Sequence, residues 1–234
     1  YPVYQFTYSG PGSSQVLNSW KGQDFMFYQL LAQSGVVVWV LDNRSASPRG
    51  VEAQWPGYGR LGEYELQDLE DGITWLKEQP YIDASRIVLS GWSYGGFMPA
   101  YALTHSTSWS AGVVGAPVSD LRDYDSVYTE RYMKLLKNNP DGYRRTAPRF
   151  AADRLHGKML LIHGTMDDNV HLQNSVQFAY ELQRAGKQFE MMMYAKQRHG
   201  FSDPLLIKHL HQLEYDFVMR AMGMALAPGK TGSN

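Results

Sequence analysis

A strand-like run, Arg86-Ile87-Val88-Leu89-Ser90, leads into Gly91-Trp92-Ser93-Tyr94-Gly95-Gly96 and out into a helix-like run ending near Thr104. No other stretch constrains the fold as much. A G-x-S-x-G between a strand and a helix predicts a sharp turn with the serine hydroxyl exposed on its tip. Glycines suit the flanking positions because so tight a turn leaves no room for side chains. The pattern alone is weak. With ordinary glycine and serine usage, roughly one chain in ten of this length carries it by chance. In isolation it describes a glycine-bearing loop equally well, so the rest of the chain decides.

Strand and helix signals alternate on both sides of this turn. Val3 to Tyr8 reads as a strand, and Asp24 to Ser34 as a helix stopped by Gly35. The continuous apolar run Val36 to Leu41 suits a strand buried on both faces of a parallel sheet. A long loop rich in Gly, Pro, Ser and Arg follows, from Asp42 to Gly62. Glu63 to Glu78 carries Leu66, Leu69, Ile73 and Leu76 on one helical face. Beyond the turn, strands are expected at Ala111 to Val118, Met159 to His163 and Phe189 to Tyr194. Helices are expected at Leu172 to Ala185 and Pro204 to Met222, the last with Leu206, Leu210, Leu213 and Phe217 as its stripe. Ser119 to Pro148 reads as irregular, with a short helical piece near Thr129 to Leu136, and the polar tail from Ala227 to Asn234 as mobile.

Such alternation predicts an α/β fold, a mostly parallel sheet with helices on both faces. With 234 residues, 44% of them hydrophobic, one domain spanning 1–234 is enough. The irregular stretch at about 119–150 is then an insertion above the sheet. Sites in open α/β sheets lie at the carboxyl ends of the strands. Tyr8, Asp42, Ser93, Val118, Asp167 and His199 should therefore gather on one edge.

Net charge is -1, which gives no electrostatic footprint for nucleic acid. No run of 18 apolar residues supplies a membrane segment. Cysteine is absent, which excludes disulfides and thiolate chemistry. No His/Asp/Glu spacing suggests a zinc site, since His209 and His211 diverge on a helix. No metal or other cofactor is implied. The chain opens at Tyr1-Pro2-Val3 without an initiator methionine, which reads as a processed product or an excised piece.

A serine hydroxyl needs a base to become a nucleophile, and the base is normally a histidine held by a carboxylate. The α/β-hydrolase order is Ser, then Asp or Glu, then His. This chain offers Ser93, Asp167 and His199, each after a predicted strand. Taken singly, Asp167 is a turn-former and His199 a loop residue; the joint order and placement carry the reading. Only one of Asp167 and Asp168 can point at the histidine. His163 lies within a strand and reads as buried and structural, while His105, His156, His171, His209 and His211 do not follow the last strand. The tetrahedral intermediate needs donors where its oxygen becomes negative. One is the backbone N–H of Tyr94. In place of a glycine-rich donor loop the chain has Thr7-Tyr8-Ser9-Gly10-Pro11, which makes the Tyr8 hydroxyl the candidate for the second.

Three stretches then resemble a known family. These are the Gly91 to Gly96 turn, Asp125-Ser126-Val127-Tyr128-Thr129-Glu130-Arg131-Tyr132, and His163-Gly164-Thr165-Met166-Asp167-Asp168-Asn169-Val170-His171. Together they resemble the dipeptidyl peptidase IV-type catalytic domains of the prolyl oligopeptidase family of serine peptidases. The likeness runs through nearly the whole chain, and the second and third motifs are far more specific than the first. It implies an α/β-hydrolase fold lacking its first strands here, Ser93, Asp167 and His199 as the triad, and Tyr8 with Tyr94 as oxyanion donors. It also implies an apolar pocket for proline or alanine shaped by Trp92, Val118, Tyr124, Tyr128 and Val170, with Asn169 and Arg131 holding a substrate carbonyl. Without the resemblance, Tyr124 and Tyr128 would read as an i, i+4 core pair. Leu121 stands where the mammalian member of this type has a pocket tryptophan, which implies a looser pocket.

The implied activity is release of Xaa-Pro or Xaa-Ala dipeptides from peptide N-termini through an acyl-enzyme. Complete members carry a β-propeller whose acidic pair binds the substrate's amino group; no such segment lies within this chain. A tripeptidyl peptidase, an acylaminoacyl-peptidase or an esterase of the same fold stays open, as does a non-catalytic interaction module. The family also implies a homodimer through the last helix, where Leu205, Phe217 and Met219 could serve either core or interface.

Overall fold

Six strands form one sheet in the order β2-β1-β3-β4-β5-β6, and every neighbouring pair is parallel. They are β1 (Val3–Phe6), β2 (Val37–Val40), β3 (Ile87–Trp92), β4 (Ala111–Gly115), β5 (Lys158–Gly164) and β6 (Glu190–Tyr194). This is a computed structural model describing residues 1–46 and 49–226; the expected mobile tail lies outside the described residues. Parallel neighbours need long crossovers. Helices supply them: α1 (Gln23–Gln33), α2 (Glu63–Lys77), α3 (Tyr94–His105), α4 (Ser126–Met133), α5 (Pro140–Arg145) and α6 (Gln173–Arg184); α7 (Pro204–Ala221) follows β6.

Period-two alternation along the strands divides the core. Ile87 and Leu89 of β3 pack with Leu66, Leu69, Ile73 and Leu76 of α2, Phe97 and Met98 of α3, and Phe178 and Leu182 of α6. Val88 faces the other way, with Phe27 and Leu31 of α1 and Tyr215, Phe217 and Val218 of α7. The expected mostly parallel α/β architecture is thus found. Phe217 and Met219 belong to this second core, at 2% exposure each, whereas Leu205 is 77% exposed.

Two expectations need correction. β2 is not buried on both faces: it lies at the edge of the sheet formed by the described residues, and all four of its residues are half-buried. Trp39 stacks on Trp75 of α2 at 6.3 Å. Nor is the stretch after β4 mainly irregular. It contains a turn of 3₁₀ helix at Leu121–Asp123, α4, another at Leu136–Asn138, α5, and a longer 3₁₀ segment at Pro148–Arg154. Helix α4 starts at Ser126 because the Asp125 carboxylate caps it, accepting from the Tyr128 N–H at 2.8 Å.

The insertion is anchored at its base by a buried ionic knot. Asp120, fully buried, pairs with Arg122 and Arg149 at 2.6 Å each, and Arg149 also reaches Asp123 at 2.8 Å. Asn174 of α6 accepts from the Ser119 N–H at 3.0 Å and donates to the Asp123 carbonyl at 3.2 Å. At the far side, the Gly59 N–H donates to the Tyr132 carbonyl at 2.7 Å, joining the long loop after β2 to α4.

The turn after β3 works only with glycine. A Cβ on Gly91 would lie 2.2 Å from the Gly95 carbonyl oxygen and 2.4 Å from that of Thr7. A Cβ on Gly96 would lie 1.9 Å from the carbonyl oxygen of Gly115 in β4. Backbone cannot step aside as a side-chain tip can. Gly96→Ala should therefore cost about 3 kcal/mol through overpacking, lowering Tm by about 6–12 °C. A thermal melt within about 2 °C of the parent would show that β4 and α3 separate freely.

Candidate active site

The parallel order brings the carboxyl ends of β1, β3, β4, β5 and β6 to one edge. Ser93 sits between β3 and α3 with φ 65°, ψ -121°, a backbone conformation that costs a non-glycine residue about 1–3 kcal/mol. Surroundings over-determine it. The Ser93 N–H donates to the Gly115 carbonyl at 2.9 Å, and the Ser93 carbonyl accepts from Gly96 and Phe97, both at 2.9 Å. Its side chain is thereby held out of the sheet, half-exposed.

Asp167 and His199 meet as expected. His199 Nδ1 lies 2.7 Å from Asp167 Oδ2. Asp168, by contrast, is exposed and pairs with Arg198, so the choice between the adjacent aspartates is settled by geometry. The Asp167 carboxylate is fully engaged. Oδ1 accepts from the backbone N–H groups of Asn169 at 3.0 Å and Val170 at 2.9 Å, and Oδ2 also faces His163 Nε2 at 3.2 Å. Burial pushes this carboxyl up, but donors from His163, His199 and Asn169 and the His199 charge outweigh it. The net result lies well below the usual carboxylate range.

His163 is buried, as its strand position implies, but it also belongs to the site. Its Nε2 lies 2.8 Å from the Val170 carbonyl, which can only accept, so Nε2 carries the proton. Its Nδ1 then accepts from the Ser175 hydroxyl at 2.7 Å. Sequence pattern gives no hint of the Asp167 contact, because it depends on the loop after β5 curling back over its own strand.

Tyr8 follows β1, with its ring half-buried and 6.3 Å from that of Tyr94. Tyr124 and Tyr128 pack edge to face at 5.6 Å and 82°, and the Tyr124 hydroxyl donates to Asn169 Oδ1 at 2.9 Å. Burial pushes both phenols up, Tyr128 the more strongly, so this wall stays uncharged. Val118 and Val170 are buried at 5% and 0% exposure in the core that these tyrosines pack against. Arg131 is exposed, one turn beyond Tyr128, with its guanidinium 5.5 Å from the Tyr132 ring.

Trp92 is placed differently from the other pocket candidates. Its indole N–H donates to the His199 carbonyl at 2.8 Å, and its ring meets Phe201 edge to face at 5.5 Å. It braces the His199 loop from the α1/α7 side of the sheet. Asp42 does not join the site: its carboxylate accepts from the Gln15 N–H at 2.7 Å and the Val16 N–H at 3.0 Å, closing a surface loop. Leu121 is buried in the main core at 4% exposure. Among the described residues, no group of His, Asp and Glu side chains converges with metal-ligating geometry. Nor is any helix long and apolar enough to cross a membrane.

Glu65 lies behind the site as well, 1% exposed. Its Oε1 accepts from the Tyr94 hydroxyl at 3.1 Å and its Oε2 from the Gly62 N–H at 2.8 Å. A glutamate at the third position of a helix that starts after glycine is a capping signal that could have drawn attention to it.

Residues 23–225 match the model of the prolyl oligopeptidase family. A probable dipeptidyl peptidase 4 of Aspergillus fumigatus is 38% identical over 207 residues, covering 86% of this chain and 27% of that protein. Dipeptidyl peptidase 8 of Mus musculus is 35% identical over 222 residues, covering 92% of this chain and 25% of that protein. The crystal structure of Porphyromonas gingivalis dipeptidyl peptidase 4 superposes with a TM-score of 0.89 at 38% identity, over 94% of this chain and 31% of that one. The chain thus spans 25–31% of the length of these relatives. A match through most of its length, shared with a solved relative of the same fold, makes this chain a member of the prolyl oligopeptidase family of serine peptidases.

Proposed function

We propose that residues 1–234 are the catalytic domain of an exopeptidase that releases Xaa-Pro and Xaa-Ala dipeptides through an acyl-enzyme. The observation that carries the reading is the 2.7 Å contact between His199 Nδ1 and Asp167 Oδ2, on the same sheet edge as the strained Ser93 turn. A carboxylate at Nδ1 fixes the Nδ1–H tautomer, which leaves Nε2 free to accept a proton. Ser93 Oγ would attack the substrate carbonyl as His199 takes its proton. The Tyr94 N–H and the Tyr8 hydroxyl would receive the developing oxyanion. His199 then returns the proton to the leaving amine, and water repeats the sequence on the ester. Among the described residues no hydrogen bond joins Ser93 to His199; catalytic contacts of this kind tighten in the complex with substrate.

Specificity would come from the insertion at about 119–150. A proline ring is flat and apolar, and it suits the edge-to-face pair Tyr124 and Tyr128 over Val118 and Val170. A long charged side chain there would lose its hydration without gaining a partner. Asn169, held by Tyr124, and Arg131 would take the carbonyl oxygen of the preceding residue. The relatives' names support dipeptide release.

The test compares Gly-Pro-anilide with an acyl-amino-acid anilide and a short p-nitrophenyl ester, using the full-length protein. Faster cleavage of Gly-Pro-anilide is expected. Preference for the blocked substrate would replace the dipeptidyl reading with an acylaminoacyl one. A folded sample whose Ser93 ignores a fluorophosphonate would point to an inert interaction module.

A further inference from the structure

Glu65 is an unusual residue to bury. It belongs to α2, yet it is 1% exposed and lies beside the candidate nucleophile's neighbour rather than beside a cation. Burial pushes its carboxyl up to about 7, opposed by hydrogen bonds from its own N–H, from Gly62 and from Tyr94. A helix start needs only a surface carboxylate or hydroxyl to satisfy its first N–H groups. The second oxygen of Glu65 does something a cap does not require: it accepts from the Tyr94 hydroxyl at 3.1 Å.

Tyr94 links this carboxylate to the reaction centre. Its backbone is the first residue of α3, directly after Ser93, and its N–H is the first candidate oxyanion donor. Its ring is wedged between Phe97 at 5.2 Å and Tyr8 at 6.3 Å. Space around Tyr8 is tight: a Cβ on Gly10 would lie 2.7 Å from Tyr8 Cε1 and 3.5 Å from Tyr94 Cγ. Tyr8, the second candidate donor, therefore leans on a ring whose far end Glu65 holds.

We infer that Glu65 is a positioning residue for the oxyanion side of the site, acting through the Tyr94 hydroxyl on the placement of the Tyr94 N–H and the Tyr8 ring. This rests on the function proposed above. Donors aimed at a developing oxyanion act mainly in the transition state, so misplacing them lowers kcat and leaves substrate binding nearly intact. Glu65→Leu removes the acceptor and Tyr94→Phe the donor of the same hydrogen bond, so their effects should not add.

The experiment uses the full-length protein, its two single variants and the double variant, with Gly-Pro-anilide turnover, the rate of fluorophosphonate labelling and thermal melts. Each single variant should lose about tenfold in kcat with KM within about twofold, and the double variant should be no slower than the worse single. Labelling rates should fall in parallel. Losses that multiply in the double variant would overturn the inference, as would a rise in KM with kcat unchanged. If Glu65→Leu does not fold, Tyr94→Phe decides alone, and parental kcat in that variant overturns the inference. Equal labelling of parent and variants sinks this inference only. A parent that does not label at Ser93 sinks the proposed function as well.

Discussion

Ser93→Ala in the full-length protein should lower kcat/KM on Gly-Pro-anilide by about 10⁶-fold, the scale of losing a triad nucleophile. The substitution removes one oxygen from a half-exposed tip and leaves the backbone contacts to Gly115, Gly96 and Phe97 intact. Alanine at φ 65° is no less strained than serine, so the melting temperature should hardly change. The measurement is steady-state turnover beside a thermal melt and a fluorophosphonate label. Activity within about tenfold of the parent, in a folded variant, would remove Ser93 as nucleophile.

Asp167→Asn should cost about 10⁴-fold in kcat through the wrong histidine tautomer. All four hydrogen bonds to this carboxylate come from donors: two backbone N–H groups on Oδ1, and His199 and His163 on Oδ2. An amide has one acceptor oxygen. If the backbone keeps it, the NH₂ faces the two imidazoles, and His199 must present an unprotonated Nδ1. Its proton then sits on Nε2, where it blocks proton uptake from Ser93. Asp168→Asn is the control, since that exposed side chain pairs with Arg198 on the surface; it should stay within about twofold.

Stability should follow pH with a definite sign. The Asp167 carboxyl is held below its ordinary range, so its contribution is present above about pH 4 and fades as pH falls toward its lowered folded value. The parent's Tm advantage over Asp167→Asn should narrow on acidification below about pH 4. A gap that widens there would mean that the carboxylate is not held by these donors.

Much of this was legible because the chemistry is written locally. Ser93, Asp167 and His199 each follow an apolar run, and parallel strands carry whatever follows them to the same edge. The helical face of Leu66, Leu69, Ile73 and Leu76 was equally plain, and all four are buried. What was not legible depends on partners distant in the chain. Glu65 meets Tyr94 across 29 positions, and no periodicity marks a buried acid. Helix α4 is eight residues long with Val127 86% exposed, so its apolar spacing is too poor to fix its start. Strand composition alone could not show that β2 is only half-buried, because Val37, Val38 and Val40 suit a buried strand equally well. The pairing of His163 with Asp167 and the turn of Trp92 toward His199 follow from loop paths set by the assembled sheet.

The ionic knot around Asp120 has an evolutionary consequence. Arg122 and Arg149 tie the base of the insertion together and Asn174 joins it to α6, and none of the three belongs to the proposed cutting apparatus. Under the proposed function, exposed residues of α4 such as Val127 and Arg131 could then be exchanged while hydrolysis continues. A lineage, or a designed library varying Val127, Tyr128 and Arg131, could explore new substrates without first losing its chemistry.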